Sequence, residues 1–255
     1  MTTRVAVNIG NSRITCGIFV DSQLIDLTHH ISSNADKAAA DIVQRASAMR
    51  AQEIAICSVV PIATRHMLEY FKNHKVQARQ IKTDNQNIIT GVYDTLGVDR
   101  IANVVAALKI HVPSEAAIVL DLGTATTLTA VAQSGEFLGG LITLGLGRTY
   151  AALHETTAQL PNLQFDTTDH EITPLANNTA GAIASGCFLG HVGIIENWVK
   201  AVRQKLNSDC TVIATGGYAN LIAPYTDIFD HVDSNLTMYG INLIAEEAMD
   251  LVDQD

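Results

Sequence analysis

A strand, a tight glycine corner rich in small polar residues and a second strand occur twice in this chain. That repeated unit constrains the fold more than any other feature. In Val119-Leu120-Asp121-Leu122-Gly123-Thr124-Ala125-Thr126-Thr127-Leu128-Thr129-Ala130-Val131 the apolar lead-in reads as a buried strand ending in a carboxylate. Gly123 permits a tight turn, and the Thr, Leu and Val residues beyond it favour a second strand. The corner offers an acidic group able to hold a cation, backbone N–H groups freed by the turn, and the hydroxyls of Thr124, Thr126 and Thr127. A polyphosphate requires donors and a cation converging in this way, because its charge must be neutralised while water is held off. A Thr-rich hairpin whose hydroxyls serve only turns and cross-strand pairs has the same composition, so this stretch alone leaves both readings open.

The same grammar runs from Val5 to Phe19, with Asn8 in the place of Asp121, Gly10 in that of Gly123 and Asn11 in that of Thr124. The repetition suggests two structurally similar halves facing each other. Arg13 adds a cation to the first corner, or is an ordinary exposed strand charge.

Between and beyond the corners the chain alternates strands and helices. Residues 23–31 continue the first meander, and Asp36 to Met49 is Ala-rich with helical apolar spacing. Ile54 to Val60 is a continuous apolar strand stopped by Pro61, followed by a helix from Thr64 to Lys72 and a short strand from Val76 to Ile81. Ile101, Val104, Val105 and Leu108 mark a helix beginning near Asp99. Without further context Asp99 reads as a helix-start carboxylate, Arg100 as a solvated charge and Tyr93 as a partly buried aromatic. Paired glycines from Gly139 to Gly147 call for close backbone approach, to a ligand or to a strand. A helix from Thr149 to about Leu160 comes next, then a polar loop from Asp166 to Pro174 expected to be the least ordered part. Asn178-Thr179 caps a long helix to about Asn207, whose Gly181, Gly186, Gly190 and Gly193 need a close-packed helix or ligand to justify them. Thr211 to Gly217 is a strand and glycine turn, and an amphipathic helix from Met238 to Leu251 closes the chain.

A net charge of −10 over 255 residues argues against nucleic acid or an anionic membrane as a partner, so an anionic ligand must be met by local groups. Cys16, Cys57, Cys187 and Cys210 form no C-x-x-C pair and read as reduced thiols. The first ten residues lack a signal-peptide core, and no apolar run looks long enough to span a bilayer; a soluble cytoplasmic protein is expected. G-x-x-x-x-G-K-[ST], the dinucleotide glycine pattern, H-E-x-x-H and G-x-S-x-G are all missing.

Asn8-Ile9-Gly10-Asn11-Ser12, Gly97-Val98-Asp99-Arg100, Asp121 to Thr127, Gly139-Gly140-Leu141-Ile142, Asn178-Thr179 and Thr215-Gly216-Gly217 together resemble, in order and spacing, the type III pantothenate kinases over nearly the whole chain. The resemblance implies an α/β, actin-like ATPase fold of the sugar kinase/Hsp70/actin superfamily, ribonuclease H-like, with duplicated halves at residues 1–115 and 116–255 and ATP in a cleft. It also implies a homodimer whose interface helps to complete the pantothenate site. By residue, it assigns Asn8, Ile9, Gly10, Asn11, Ser12, Arg13, Ile14 and Thr15, with Thr124, to ATP, and Asp121 to a monovalent cation, potassium or ammonium; magnesium accompanies the ATP. It assigns Tyr93, Gly97, Val98, Asp99, Arg100 and Thr179 to pantothenate, with Asp99 as the general base. Two positions depart from the family: Asn8 stands where Asp is common, and Leu144 where Pro is frequent. The expected activity is phosphorylation of pantothenate by ATP to 4′-phosphopantothenate. The rival is a catalytically weakened homologue with a regulatory or ligand-binding role, suggested by Asn8; retention of Asp99, Arg100 and Asp121 favours the enzyme.

Overall fold

β1 (Thr3–Ile9) is buried along most of its length, as a strand paired on both edges and covered on both faces must be. β2 (Arg13–Val20) and β3 (Gln23–Ile31) extend from it as an antiparallel meander. β4 (Glu53–Ser58) and β5 (Ala78–Gln80) lie parallel on its other side, giving the order β3-β2-β1-β4-β5. In this computed structural model residues 2–112, 116–163 and 171–252 are described. The chain divides into two compact units, one of Met1–Ser114, Ala132–Phe137 and Asn235–Asp255, the other of Glu115–Val131 and Leu138–Ser234.

In the first unit, α1 (Ala35–Ala48) and α2 (Pro61–Asn73) cover one face of the sheet, packing Ile42, Met67 and Phe71 on Val5, Val7 and Ile56. Pro61 starts α2 three residues earlier than the spacing suggested, at a position where its missing N–H is no loss. α3 (Val98–Ala106) ends in a wider helical turn over Ala107–His111, and together with α7 (Leu236–Val252) it packs against the strands. A buried polar network fixes α7: Arg4 donates to Asn242 Oδ1 at 2.8 Å and Glu246 Oε1 at 3.2 Å, while Arg79 bonds Glu53 at 2.7 Å and the Ala245 carbonyl at 3.1 Å. Such groups are tolerated inside because each charge has a partner.

The second unit repeats the plan. β6 (Ala117–Leu122), β7 (Ala125–Val131), β8 (Phe137–Leu144), β9 (Thr211–Thr215) and β10 (His231–Val232) form a sheet of order β10-β9-β6-β7-β8. β6 and β7 are antiparallel, and β9 and β10 run parallel beyond β6, as β4 and β5 do beyond β1. α4 (Leu146–Thr156), α5 (Thr179–Leu206) and the short α6 (Ala219–Ile222) complete it, with Phe188, Ile195 and Val199 packed on Leu120, Leu122 and Val212. Contrary to the expectation that no apolar run is long enough to span a bilayer, α5 could cross one by length and composition; its Ile183, Phe188, Val192 and Ile195 are buried in the unit's core. Of the polar loop from Asp166 to Pro174, residues 166–170 lie outside the described residues.

The cap expected at the start of α5 is present: Asn178 Oδ1 accepts the Gly181 N–H at 2.8 Å. Asn178→Ala should therefore lower stability by about 1 kcal/mol, read as a shift in the denaturant midpoint with unchanged slope.

Candidate active site

In the first unit the corner between β1 and β2 is built by backbone bonds and braced by Ser32. Gly10 N–H donates to the Arg13 carbonyl at 2.9 Å, and a Cβ on Gly10 would stand 3.2 Å from that oxygen. Ser32, just past β3, donates its hydroxyl to the Gly10 carbonyl at 2.6 Å and its N–H to the Ser12 carbonyl at 3.2 Å. From the other side Val59 N–H holds the Ile9 carbonyl at 3.1 Å. Ile9 and Ile14 turn their side chains into the core, so at this corner they offer backbone only, whereas Asn11, Ser12 and Arg13 are exposed. Asn8 lies between Thr15 and Cys57, and its Oδ1 is buried without a hydrogen-bond donor among the described residues. A buried acceptor left open costs stability unless something supplies a hydrogen.

The same unit carries the segment from Tyr93 to Arg100. Gly97 precedes α3, and the Asp99 carboxylate folds back so that Oδ1 accepts the Arg100 N–H at 2.8 Å. A Cβ on Gly97 would stand 2.5 Å from that oxygen, so only glycine leaves the carboxylate its place. Burial pushes the Asp99 carboxyl pKa up, opposed by the hydrogen bonds at the helix start and by the Arg100 guanidinium. Its charge contributes, after burial, to raising the Cys57 thiol as well, which puts Asp99 close behind the end of β4. Arg100 is not the solvated charge that its sequence context suggested. It is 5% exposed, donates to Tyr93 Oη at 3.3 Å, and lies 6.0 Å from the Phe137 ring centre. Tyr93 meets Phe137 edge-on. Gly97 and Val98 also line a cavity of ≈ 700 Å³ with Ser58, Val59 and Thr64.

The corner in the second unit is braced by glycines. Gly123 N–H donates to the Ala125 carbonyl at 3.1 Å, and Asp121 lies beside Thr127 and Thr215. Gly216, at φ +91°, passes over Asp121; a Cβ there would stand 2.6 Å from Asp121 Oδ1. Gly145 crosses the corner backbone on backbone: its N–H donates to the Thr124 carbonyl at 3.1 Å, and a Cβ would come within 2.0 Å of the Gly123 carbonyl. The close backbone approach expected of the glycine-rich stretch is thus observed at Gly145, though what it meets is the turn between β6 and β7 and not a strand. Thr126 leaves the set of corner hydroxyls, because it is fully buried and its Oγ1 lies 2.9 Å from His191 Nε2 on α5. Thr179 is exposed at the start of α5, on the wall of a cavity of ≈ 610 Å³ shared with Thr149, Leu153, Cys187 and His191.

The first unit therefore groups Asn8 to Thr15 and, separately, Tyr93 with Gly97 to Arg100; the second groups Asp121 with Thr124 and sets Thr179 on its own cavity. Ser32, His29, Phe137 and His191 escaped the sequence reading, since each reaches its site from a distant strand or helix. Among the described residues no three His, Cys, Asp or Glu side chains cluster for a metal. A divalent ion here would be held by few protein groups and mostly by phosphate and water, as magnesium commonly is.

The model of the type III pantothenate kinase family matches residues 4–201. The chain belongs to the type III pantothenate kinases. A type III pantothenate kinase from Dehalococcoides mccartyi is 34% identical over 94% of each chain, and one from Moorella thermoacetica is 30% identical over 95% of this chain and 98% of its own. Among solved structures, a ROK hexokinase from Thermus thermophilus superposes with a TM-score of 0.53 at 12% identity, covering 95% of this chain and 98% of its own. That level of identity speaks to fold alone. The fold of this pantothenate kinase is the actin-like, sugar-kinase α/β fold, as its two like-ordered sheets agree.

Proposed function

We propose that Asp99 is the general base of an ATP-dependent pantothenate kinase, and that the two glycine corners hold the nucleotide phosphates. The activity is that of the family: ATP and pantothenate give ADP and 4′-phosphopantothenate, the first step of coenzyme A biosynthesis. Asp99 accepts the proton of the substrate's primary hydroxyl as that oxygen bonds the γ-phosphorus and the bond to the β-phosphate oxygen breaks. The observation that carries the reading is the placement of the Asp99 carboxylate, folded back at the start of α3 in the space that Gly97 leaves and beside Arg100; its burial, which raises the pKa, makes it a better base than an exposed carboxylate. Tyr93, Gly97, Val98, Arg100 and Thr179 bind pantothenate, Arg100 setting its charge beside Asp99.

The N–H groups and small side chains from Asn8 to Thr15, with Thr124, hold the phosphates. Magnesium bound with ATP neutralises and orients the phosphate oxygens. Asn8 Oδ1, buried and without a donor among the described residues, is suited to a metal-bound water, and Asp121 to a monovalent cation such as potassium or ammonium, in the space that Gly216 keeps clear. A homodimer agrees with the exposed α5 glycines Gly186, Gly190 and Gly193, where an added Cβ would find no described atom within 4 Å. The protein works as a soluble cytoplasmic enzyme.

ADP release with magnesium and ATP, with and without pantothenate, in potassium and in sodium buffer, tests the assignment. Release should depend on pantothenate and be faster in potassium; release indifferent to pantothenate would sink the reading. Asn8→Asp restores a charge at the first corner, and should lower the magnesium concentration for half-maximal rate about three- to tenfold, since hydrogen bonds involving charge exceed neutral ones by about 1 kcal/mol. An unchanged magnesium dependence removes Asn8 from the metal's surroundings.

A further inference from the structure

His29 lies outside the corner that the nucleotide reading uses, yet it is held against it. Cross-strand pairing puts His29, Thr15, Asn8 and Cys57 in one row across β3, β2, β1 and β4, and neighbours in such a row share a face of the sheet. Within the row Thr15 Oγ1 lies 3.1 Å from His29 Nδ1. The end of β3 is also tied to the corner, through Ser32 and its bonds to Gly10 and Ser12. The charged groups that act on the ring are Arg13 of β2 and His30 of its own strand. His30 bonds Asp41 of α1 at 3.0 Å; Asp41 also takes Arg45, which reaches Asp26 on β3. Partial desolvation, Arg13 and His30 hold the pKa of the exposed His29 ring below the ordinary histidine value, which favours its neutral form.

A neutral imidazole has one donor nitrogen and one acceptor. When Nδ1 accepts, the single hydrogen of the Thr15 hydroxyl points at the ring. When Nδ1 carries the hydrogen, it donates to Oγ1, and the hydroxyl hydrogen is released for an anion. We propose that His29 is a positioning residue for the nucleotide: phosphate binding selects the ring form in which Nδ1 donates to Thr15, so that the Thr15 hydroxyl donates to a phosphate oxygen. This rests on the reading of the first corner as a phosphate site. Negative charge beside the ring favours its protonation as well, so nucleotide affinity strengthens as pH falls toward the ring's titration.

The test is titration of the full chain with magnesium and the non-hydrolysable analogue AMPPNP, by calorimetry and by 15N NMR of histidine rings and backbone amides. Amide shifts at Gly10 to Arg13 report on the corner itself, and the His29 ring nitrogens report on the tautomer. His29→Ala should weaken binding about three- to tenfold, the worth of one hydrogen bond, while kcat at saturating ATP changes less than about twofold. His29→Asn, whose side-chain N–H can replace Nδ1–H, should recover most of the affinity. Adding His29→Ala to Thr15→Val should weaken binding no further than Thr15→Val alone, because the ring acts through that hydroxyl. If the corner amides shift while the His29 nitrogens do not, and His29→Ala binds like wild type, the role of His29 is overturned and the corner reading stands. If the corner amides stay silent, both fall.

Discussion

Asp99→Asn should lower kcat about 10²- to 10⁴-fold while leaving the fold intact. The substitution keeps the shape of the side chain and an oxygen for the Arg100 N–H, which Asp99 Oδ1 now accepts at 2.8 Å, so the start of α3 is preserved. It removes only the ability to take a proton. Two further measurements separate a lost base from a damaged helix. The first is the rate profile: the base works deprotonated, and burial raises its pKa, so the wild-type rate falls as pH drops through that raised value. In Asp99→Asn the residual rate should lose that acid limb. The second is stability. A carboxyl whose folded-state pKa lies above its unfolded value binds protons more readily when folded, so its contribution to stability diminishes as pH rises through that window. At neutral pH the charged carboxylate is therefore a burden that Asn does not carry. The melting temperature of Asp99→Asn at neutral pH should equal or exceed that of wild type. A variant that keeps wild-type kcat would remove Asp99 from the chemistry.

The distinction matters because Asp99 has the structural role that its sequence context alone favoured, a carboxylate at a helix start. The two roles coexist: one oxygen takes the Arg100 N–H, and the raised pKa shows that the helix start does not wholly offset burial. Local pattern was enough to show the corners at Gly10 and Gly123, the Asn178 cap and the strand–helix rhythm, since each depends on residues within a turn or two of one another. It was not enough where a distant element decides. Arg100 looks like a solvated charge until Phe137 arrives beside it from the start of β8, and Thr126 looks like a phosphate donor until His191 arrives from α5. Gly145 follows the same logic, because its need for bare backbone is set by the Gly123 carbonyl on another hairpin. The apolar pattern of α7 likewise states that the helix covers something, while its destination depends on Arg4, Glu53 and Arg79.

Gly240→Ala should lower the stability of the first unit by about 2–4 kcal/mol, although Ala is intrinsically the better helix residue by about 1 kcal/mol. α7 crosses α3 at this glycine, where an added Cβ would lie 1.8 Å from the Ala102 carbonyl oxygen and 2.4 Å from its carbon. Both obstacles are backbone, so no rotamer change relieves the overlap, and the helices must separate. The surroundings resist this: Ala102, Val105, Leu236, Ile241 and Asn242 are buried, and Asn242 is bonded to Arg4 at 2.8 Å. Separation would thus open the helix contact and strain a bond that partners a buried charge. A fall of about 5–12 °C in the melting temperature is expected for a chain of this size. Because α3 begins at the Asp99 segment, its displacement should also lower kcat/KM for pantothenate, about 10²-fold for a shift near 1 Å. Binding of AMPPNP to the first corner should change far less, since that corner is held by Ser32 through Gly10 and Ser12 and by Val59 through Ile9. A Gly240→Ala protein as stable as wild type would show that the two helices do not meet as closely as the backbone places them.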